Sequence, residues 1–125
     1  MSDMKFRVNF SLMEHYVSFQ VLFVGELVRV ETSQNCVIMK SSDNVDVNVF
    51  MDNTQNLYPG YVYEIVGIVE KDDQGTLYIT QNSGTVPVFF TDSPDKFDFD
   101  SYNQMVDMTA RTYQNIFYVT EEQAE

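Results

Sequence analysis

The sequence has one cysteine, Cys36, so no internal disulfide can form and a reducing compartment is expected. It has one histidine, His15. With a single His and a single Cys there is no zinc set and no Ser-His or Cys-His pairing to support nucleophilic chemistry. A lone His beside an amphipathic stretch reads as structural or surface, and Cys36, inside a strand candidate, reads as a small buried apolar residue. Tryptophan is absent, and the five glycines never cluster into a phosphate-cradling loop. Basic residues are few: Lys5, Arg7, Arg29, Lys40, Lys71, Lys96 and Arg111, scattered against 19 acids for a formal charge of −12. A chain that grips nucleic acid unaided concentrates Lys and Arg to displace counterions, whereas this one is repelled by a polyanion at long range. Apolar runs such as "VLFVG" and "VPVFF" fall far short of the ~20 residues of a membrane helix, and "MSDMKFRVNF" does not resemble a signal peptide. A soluble intracellular protein without cofactor, metal or membrane partner is expected.

What is present is a core-forming chain of 125 residues, 44% apolar and 14% aromatic. That length suits one domain. "SLMEHYV" (Ser11–Val17) carries a capping-box pattern, Ser11 as N-cap and Glu14 three residues on, for a short helix with Leu12, Met13, Tyr16 and Val17 inward. "VSFQVLFVGELVRV" (Val17–Val30) reads as a long strand, and its internal Gly25 suggests a bulge or tight bend of the kind that closes a small barrel. "CVIMK" (Cys36–Lys40) and "VDVNVFM" (Val45–Met51) follow as strands joined by the "SSDN" turn. In the second, Val45, Val47, Val49 and Met51 share one face, and Asp46, Asn48 and Phe50 the other.

A longer connection ending in Pro59-Gly60 leads to a fourth strand, "YVYEIVGIVEK" (Tyr61–Lys71), with Gly67 inside it. The "DDQG" turn then leads to a fifth, "TLYIT" (Thr76–Thr80). "VPVFF" (Val86–Phe90) is a short extended piece that Pro87 confines to an edge or strand end. Five strands, short hairpins and one longer connection between the third and fourth predict a five-stranded Greek-key OB-fold barrel, followed by a C-terminal α-helix. An SH3-like barrel is the main competitor. The acids, Asp43, Asp46, Asp52, Asp72, Asp73, Asp92, Asp95, Asp98 and Asp100, fall mostly in turns and linkers, which turn chemistry and solubility explain without a carboxylate-pair hydrolase.

The organisation reads as a barrel with N-terminal arm over residues 1–92, an acidic linker over 93–98, a helix over 99–119 and a tail over 120–125. Asp98 or Asp100 is the candidate helix cap. Tyr102, Met105, Val106, Thr109, Tyr113 and Ile116 recur at i+3 and i+4 spacing as one stripe, with Asn103, Gln104, Asp107, Arg111 and Gln114 largely off it. Met108 and Phe117 extend its apolar character. Such a helix either plugs its own barrel or docks onto another chain. The Pro94-containing linker and a stripe of about four turns from Tyr102 to Phe117 favour docking. On the barrel, the face of the second and third strands is the usual OB ligand face, and it shows Lys40, Asn48 and Phe50 as candidate weak nucleic-acid contacts, Phe50 by stacking. The competing reading packs Phe50 under the Asp52–Gly60 connection or against a partner.

Several stretches, taken in order, resemble the small third subunit of the replication protein A family: "RVN" (Arg7–Asn9) with Leu12–Met13, "VLFVGEL" (Val21–Leu27), "YEIVGIV" (Tyr63–Val69) and "FDFDSYN" (Phe97–Asn103). The resemblance covers nearly the whole chain. The stronger acidity and the "TEEQAE" tail depart from it. It implies a non-enzymatic nuclear subunit of a heterotrimeric single-stranded-DNA-binding complex in replication, repair and recombination. The implied partners are a middle and a large subunit, which hold most of the DNA contact and share a three-helix bundle with this chain's helix. Tyr102, Met105, Val106, Thr109, Tyr113 and Ile116 would then be the bundle core. Telomere-dedicated complexes of the same type, attached to telomerase, are the alternative assembly. A stand-alone nucleic-acid-binding OB module is the second alternative.

Overall fold

Twelve consecutive residues, Gln20–Glu31, form the strand on which the rest is built. It is rich in Val, Leu and Phe, which suit a pleated, half-buried surface. In the computed structural model, which describes residues 6–109, the strands are β1 (Phe6–Val8), β2 (Gln20–Glu31), β3 (Cys36–Ser41), β4 (Asp46–Phe50), β5 (Val62–Lys71), β6 (Leu77–Gln81) and β7 (Val88–Thr91). The helices are the one-turn α1 (Phe10–Met13) and α2 over residues 99–109. The first half of β2 pairs antiparallel with β5, Gln20↔Ile68 to Glu26↔Val62, and its second half with β3, Gly25↔Ser41 to Glu31↔Cys36. β3 pairs with β4, β4 runs parallel to β6 (Val49↔Ile79), and β6 returns to β5. The closed circuit β2-β3-β4-β6-β5-β2 is the OB-fold barrel, and its parallel β4–β6 seam removes the SH3-like competitor.

The period-2 reading of β4 holds: Val47, Val49 and Met51 are buried, whereas Asp46 and Asn48 are exposed. Phe23, Leu27, Met39, Ile65 and Ile79 complete the barrel interior with them. Two internal glycines have a different role from the one expected. The register shift in β2 lies between Leu27 and Arg29, not at Gly25. At Gly25 a Cβ would come within 2.6 Å of the Lys40 carbonyl oxygen, and at Gly67 within 2.6 Å of both Ile79 Cγ2 and the Thr80 carbonyl oxygen. Both positions need glycine because neighbouring strands pass too close for a side chain.

Two short strands lie outside the circuit. β1, which is too short to signal itself in the sequence, pairs parallel with β2 at Phe6↔Val21 to Val8↔Phe23. β7 pairs with β5 at Val62↔Thr91 to Glu64↔Val88 and ends the sheet, as Pro87 implied.

The N-terminal helix is capped two residues earlier than the capping box suggested. Asn9, not Ser11, is the N-cap, its Oδ1 accepting from Leu12 N at 3.1 Å. Ser11 instead donates through its backbone N (2.9 Å) and Oγ (2.7 Å) to Asp43, in the β3–β4 turn. Met13 and Tyr16 are buried as expected, with Leu12 and Val17 packed against the same core.

Candidate functional site

The outward face of β3, β4 and β6 carries the three residues that the sequence marks as nucleic-acid contacts. The register sets Lys40 opposite Asp46 on β4 and Glu26 on β2, so acids flank it. Two rungs along, Asn48 and Phe50 line a cavity of about 440 Å³ with Asp72, Thr76, Tyr78 and Thr80. Phe50 and Tyr78 meet edge-to-face, ring centroids 5.4 Å apart. Asn48 and Phe50 are thus brought together, and Lys40 stays outside the cavity. Tyr78 was missed, although alternation in "TLYIT" places it on the face of Thr76 and Thr80. Asp72 at the rim is committed to the turn, its Oδ1 accepting from Gln74 N and Thr76 N, both at 2.9 Å. Chemically the cavity offers aromatic edges and hydrogen-bonding groups for a flat ring, with no cation for a phosphate.

The second element is α2. Asp98 caps it: Oδ1 accepts from Ser101 N at 3.0 Å and Oδ2 from Ser101 Oγ at 2.7 Å. The Ser101 backbone N–H, then its hydroxyl, hold the Asp98 carboxyl below the usual range against a small burial effect. Ahead of the cap the acidic linker turns back through a 3-10 turn (Pro94–Lys96), and Phe97 packs on Phe90, Phe99 and Tyr102. The helix that follows rests on its own barrel. Val106 is fully buried. Asn9 Nδ2 donates to Asn103 Oδ1 at 2.6 Å and to Asp107 Oδ1 at 3.1 Å, and Ser42 Oγ donates to Asn103 Oδ1 at 2.8 Å. Asn9 is 1% exposed, so these bonds satisfy a buried amide that also caps α1.

The predicted stripe is therefore divided. Tyr102 and Val106 face the barrel, Met105 and Thr109 face outward, and Tyr113 and Ile116 lie outside the described residues, as do Arg111, Gln114, Phe117 and the tail. Asn103 and Asp107, read from periodicity as off the buried face, belong to it because Asn9 and Ser42 meet them. Met105 and Met108 are exposed, the latter by 66%.

Tyr102 sits between Glu64 of β5 and Arg7 of β1. Burial first, then the Glu64 carboxylate, push its phenol up to about 12, with Arg7 acting in the opposite sense. Arg7 approaches Glu64 at 3.8 Å, too long for a hydrogen bond, and neither the Tyr102 hydroxyl nor Glu64 Oε2 has a well-formed one. Cys36 is buried on β3, and burial pushes its thiol up. Among the described residues no three His, Cys, Asp or Glu come together in a way that could hold a metal ion, and no helix is long and apolar enough to cross a membrane.

The fold has close counterparts. It is similar to a chain in the structure of U. maydis replication protein A bound to single-stranded DNA, with a TM-score of 0.73 and 24% identity over 94% of this chain and 98% of that one. A chain in a second structure, a replication protein A heterotrimer bound to single-stranded DNA, is similar with a TM-score of 0.62 and 8% identity, over 89% of this chain and 98% of that one. At these identities the likeness establishes the fold. No curated protein matches the sequence. The family model described as replication factor A protein 3 matches residues 1–117, nearly the whole sequence, and the chain belongs to that family.

Proposed function

We propose that the chain is the small, non-catalytic subunit of a heterotrimeric single-stranded-DNA-binding complex of the replication protein A type. It acts in the nucleus in replication, repair and recombination, and joins a middle and a large subunit through a three-helix bundle built on its C-terminal helix. The observation that carries this reading is the family match across barrel and helix together, residues 1–117. Two others support it. The formal charge of −12 makes the isolated barrel a poor competitor for a polyanion, so the DNA contact falls to the partners. Met105 and Met108 present apolar side chains to solvent on the face of α2 turned away from the barrel.

The helix then has two functions. Tyr102 and Val106 hold its first turns on the barrel and fix its direction of exit. Met105 and Thr109, with Tyr113 and Ile116 further along, face the partner helices. Asn48 and Phe50, beside Tyr78, provide a secondary stacking surface for a base that partner subunits have already captured, and Lys40 adds a weak attraction at the far end of that face. A telomere-dedicated complex attached to telomerase would use the same surfaces.

Native capture of the tagged chain from nuclear extract, followed by mass spectrometry, tests the proposal. Recovery of two larger OB-fold subunits in equal amounts is expected, and the co-captured proteins distinguish a general from a telomeric complex. A chain that binds labelled single strands tightly alone, with steep salt dependence and no stoichiometric partner, would replace the proposal with a stand-alone module.

A further inference from the structure

β7 ends the sheet with one side unused. It pairs with β5 at Val62↔Thr91, Tyr63↔Phe89 and Glu64↔Val88, and no strand among the described residues takes its other edge. Such an edge presents a row of backbone N–H and C=O groups that can accept another strand. Natural edges are usually guarded by a lysine, an inward charge or a bulge facing outward. Here β7 carries no charge; its one guard is a register shift against β5 between Val62 and Tyr63, which leaves Phe90 as the extra residue, and Val88, Phe89 and Phe90 are all exposed.

Phe89 packs beside Tyr61 and Tyr63, with ring centroids 5.5 and 6.2 Å away, and Phe90 meets Phe97 at 5.7 Å. A strand added here would find apolar side chains at Val88, Phe89 and Phe90.

At the start of β7 lies a cavity of about 410 Å³, between the β4–β5 connection and the β6–β7 connection. Tyr63 and Phe89 wall it, side-chain amides such as Asn53 and Asn82 line it, and Asp52 is its one charged group. No Lys or Arg lines it. Lys96, the cation nearest β7 in sequence, is paired with Asp92. Asp52 is exposed and makes none of the ion pairs among the described residues. Aromatic faces, amide oxygens and one carboxylate match a guanidinium or ammonium group.

We infer that β7 and this cavity form a docking site for an extended segment of a partner protein, which adds a strand to β7 and places a Lys or Arg side chain beside Asp52. Strand addition supplies main-chain hydrogen bonds, and the cavity supplies side-chain selection. The charge of the chain, −12, argues against a second copy as the occupant, since two like-charged chains would be brought together. The site uses no residue of α2, so its failure and the failure of the assembly proposal are separate results.

The test uses a phage-displayed library of random dodecapeptides selected against the full chain, with the best enriched peptide titrated by fluorescence anisotropy. Enriched sequences are expected to alternate apolar residues around at least one Lys or Arg. The Kd is expected to rise at least 10-fold on Asp52→Lys, binding to be lost on Phe89→Lys, and amide exchange to slow at residues 88–91 when the peptide binds. Asp52 is an exposed loop residue, so Asp52→Lys carries the test if Phe89→Lys fails to fold. Failure to enrich any peptide, enrichment of acidic or helical ones, indifference of the Kd to Asp52→Lys, or protection away from β7 would each overturn the inference. So would a dimer of the wild-type chain that Phe89→Lys dissociates, because a second copy would then be the occupant.

Discussion

Replacing Val106 by alanine probes the contact on which the direction of α2 depends. The side chain is fully buried between helix and barrel. The substitution removes two methyl-sized groups, about 1.5 kcal/mol at ~0.8 kcal/mol each. A void of roughly 40 Å³ that does not collapse adds about 1 kcal/mol at ~24 cal/mol per Å³. Alanine's better helix propensity returns roughly 0.5 kcal/mol. The net loss is about 2 kcal/mol, roughly a 30-fold change in equilibrium. Urea unfolding followed by circular dichroism would show it as a midpoint lowered by about 1 M for a typical m-value. If the helix opens without the barrel, the loss appears instead as faster amide exchange confined to α2. Met108→Ala, on the exposed side of the same helix, is the control and should change stability by less than about 0.5 kcal/mol. A Val106→Ala chain with an unchanged midpoint and unchanged helix protection, or a Met108→Ala loss of equal size, would refute the packing of α2 on its barrel.

Three further substitutions test other parts of the account. Gly67→Ala forces a methyl against Ile79 and the Thr80 carbonyl, both 2.6 Å from the added atom; a loss of about 1–3 kcal/mol in the same urea assay is expected. At Asp43, burial pushes the carboxyl up, but hydrogen bonds from the Ser11 and Ser41 hydroxyls and from the Ser11 and Phe10 backbone outweigh it and leave the pKa lowered. A depressed folded pKa contributes stability that is complete above the unfolded value near 3.8 and is lost as pH falls through the lower folded value. Asp43→Asn should therefore reduce stability at neutral pH and flatten the acid limb below about pH 4, read as melting temperature against pH. Tyr102, raised to about 12, contributes stability that is complete below pH 10 and declines above it. Because its buried hydroxyl lacks a well-formed hydrogen bond, Tyr102→Phe should be neutral or slightly stabilising at pH 7 and should flatten the alkaline limb of the same profile.

The barrel was legible because its signals are local. Alternation in Val45–Met51 places Val47, Val49 and Met51 inward without reference to any other strand, and the turn residues around Asp72 and Asn44 punctuate the hairpins. What was not legible depends on residues distant in sequence. The capping box at Ser11 was a sound local pattern, yet Asp43, 32 residues away, claims Ser11 and leaves Asn9 to cap the helix. Gly25 looked like a bend, but the necessity of Gly25 and Gly67 comes from the strands that pass beside them. Periodicity ranks helix positions by apolarity, so it could not assign Asn103 and Asp107 to a buried face whose opposite wall is Asn9 and Ser42. The candidate base-stacking cavity was half visible: Phe50 stood out on a polar face, whereas its partner Tyr78 required the parallel β4–β6 pairing to come alongside.

Under the proposed function, one end of the C-terminal helix is held by the barrel while the remainder joins other subunits. Ending the chain after Thr109 separates the two, because it keeps Val106, Asn103 and Asp107 on the barrel and removes Tyr113 and Ile116. The truncated and full chains would be co-expressed with the two larger subunits, and their thermal melting and co-purification compared. The truncated barrel is expected to melt within a few degrees of the full chain and no longer to co-purify with its partners. Stoichiometric recovery of both partners with the folded, truncated chain would contradict that proposal.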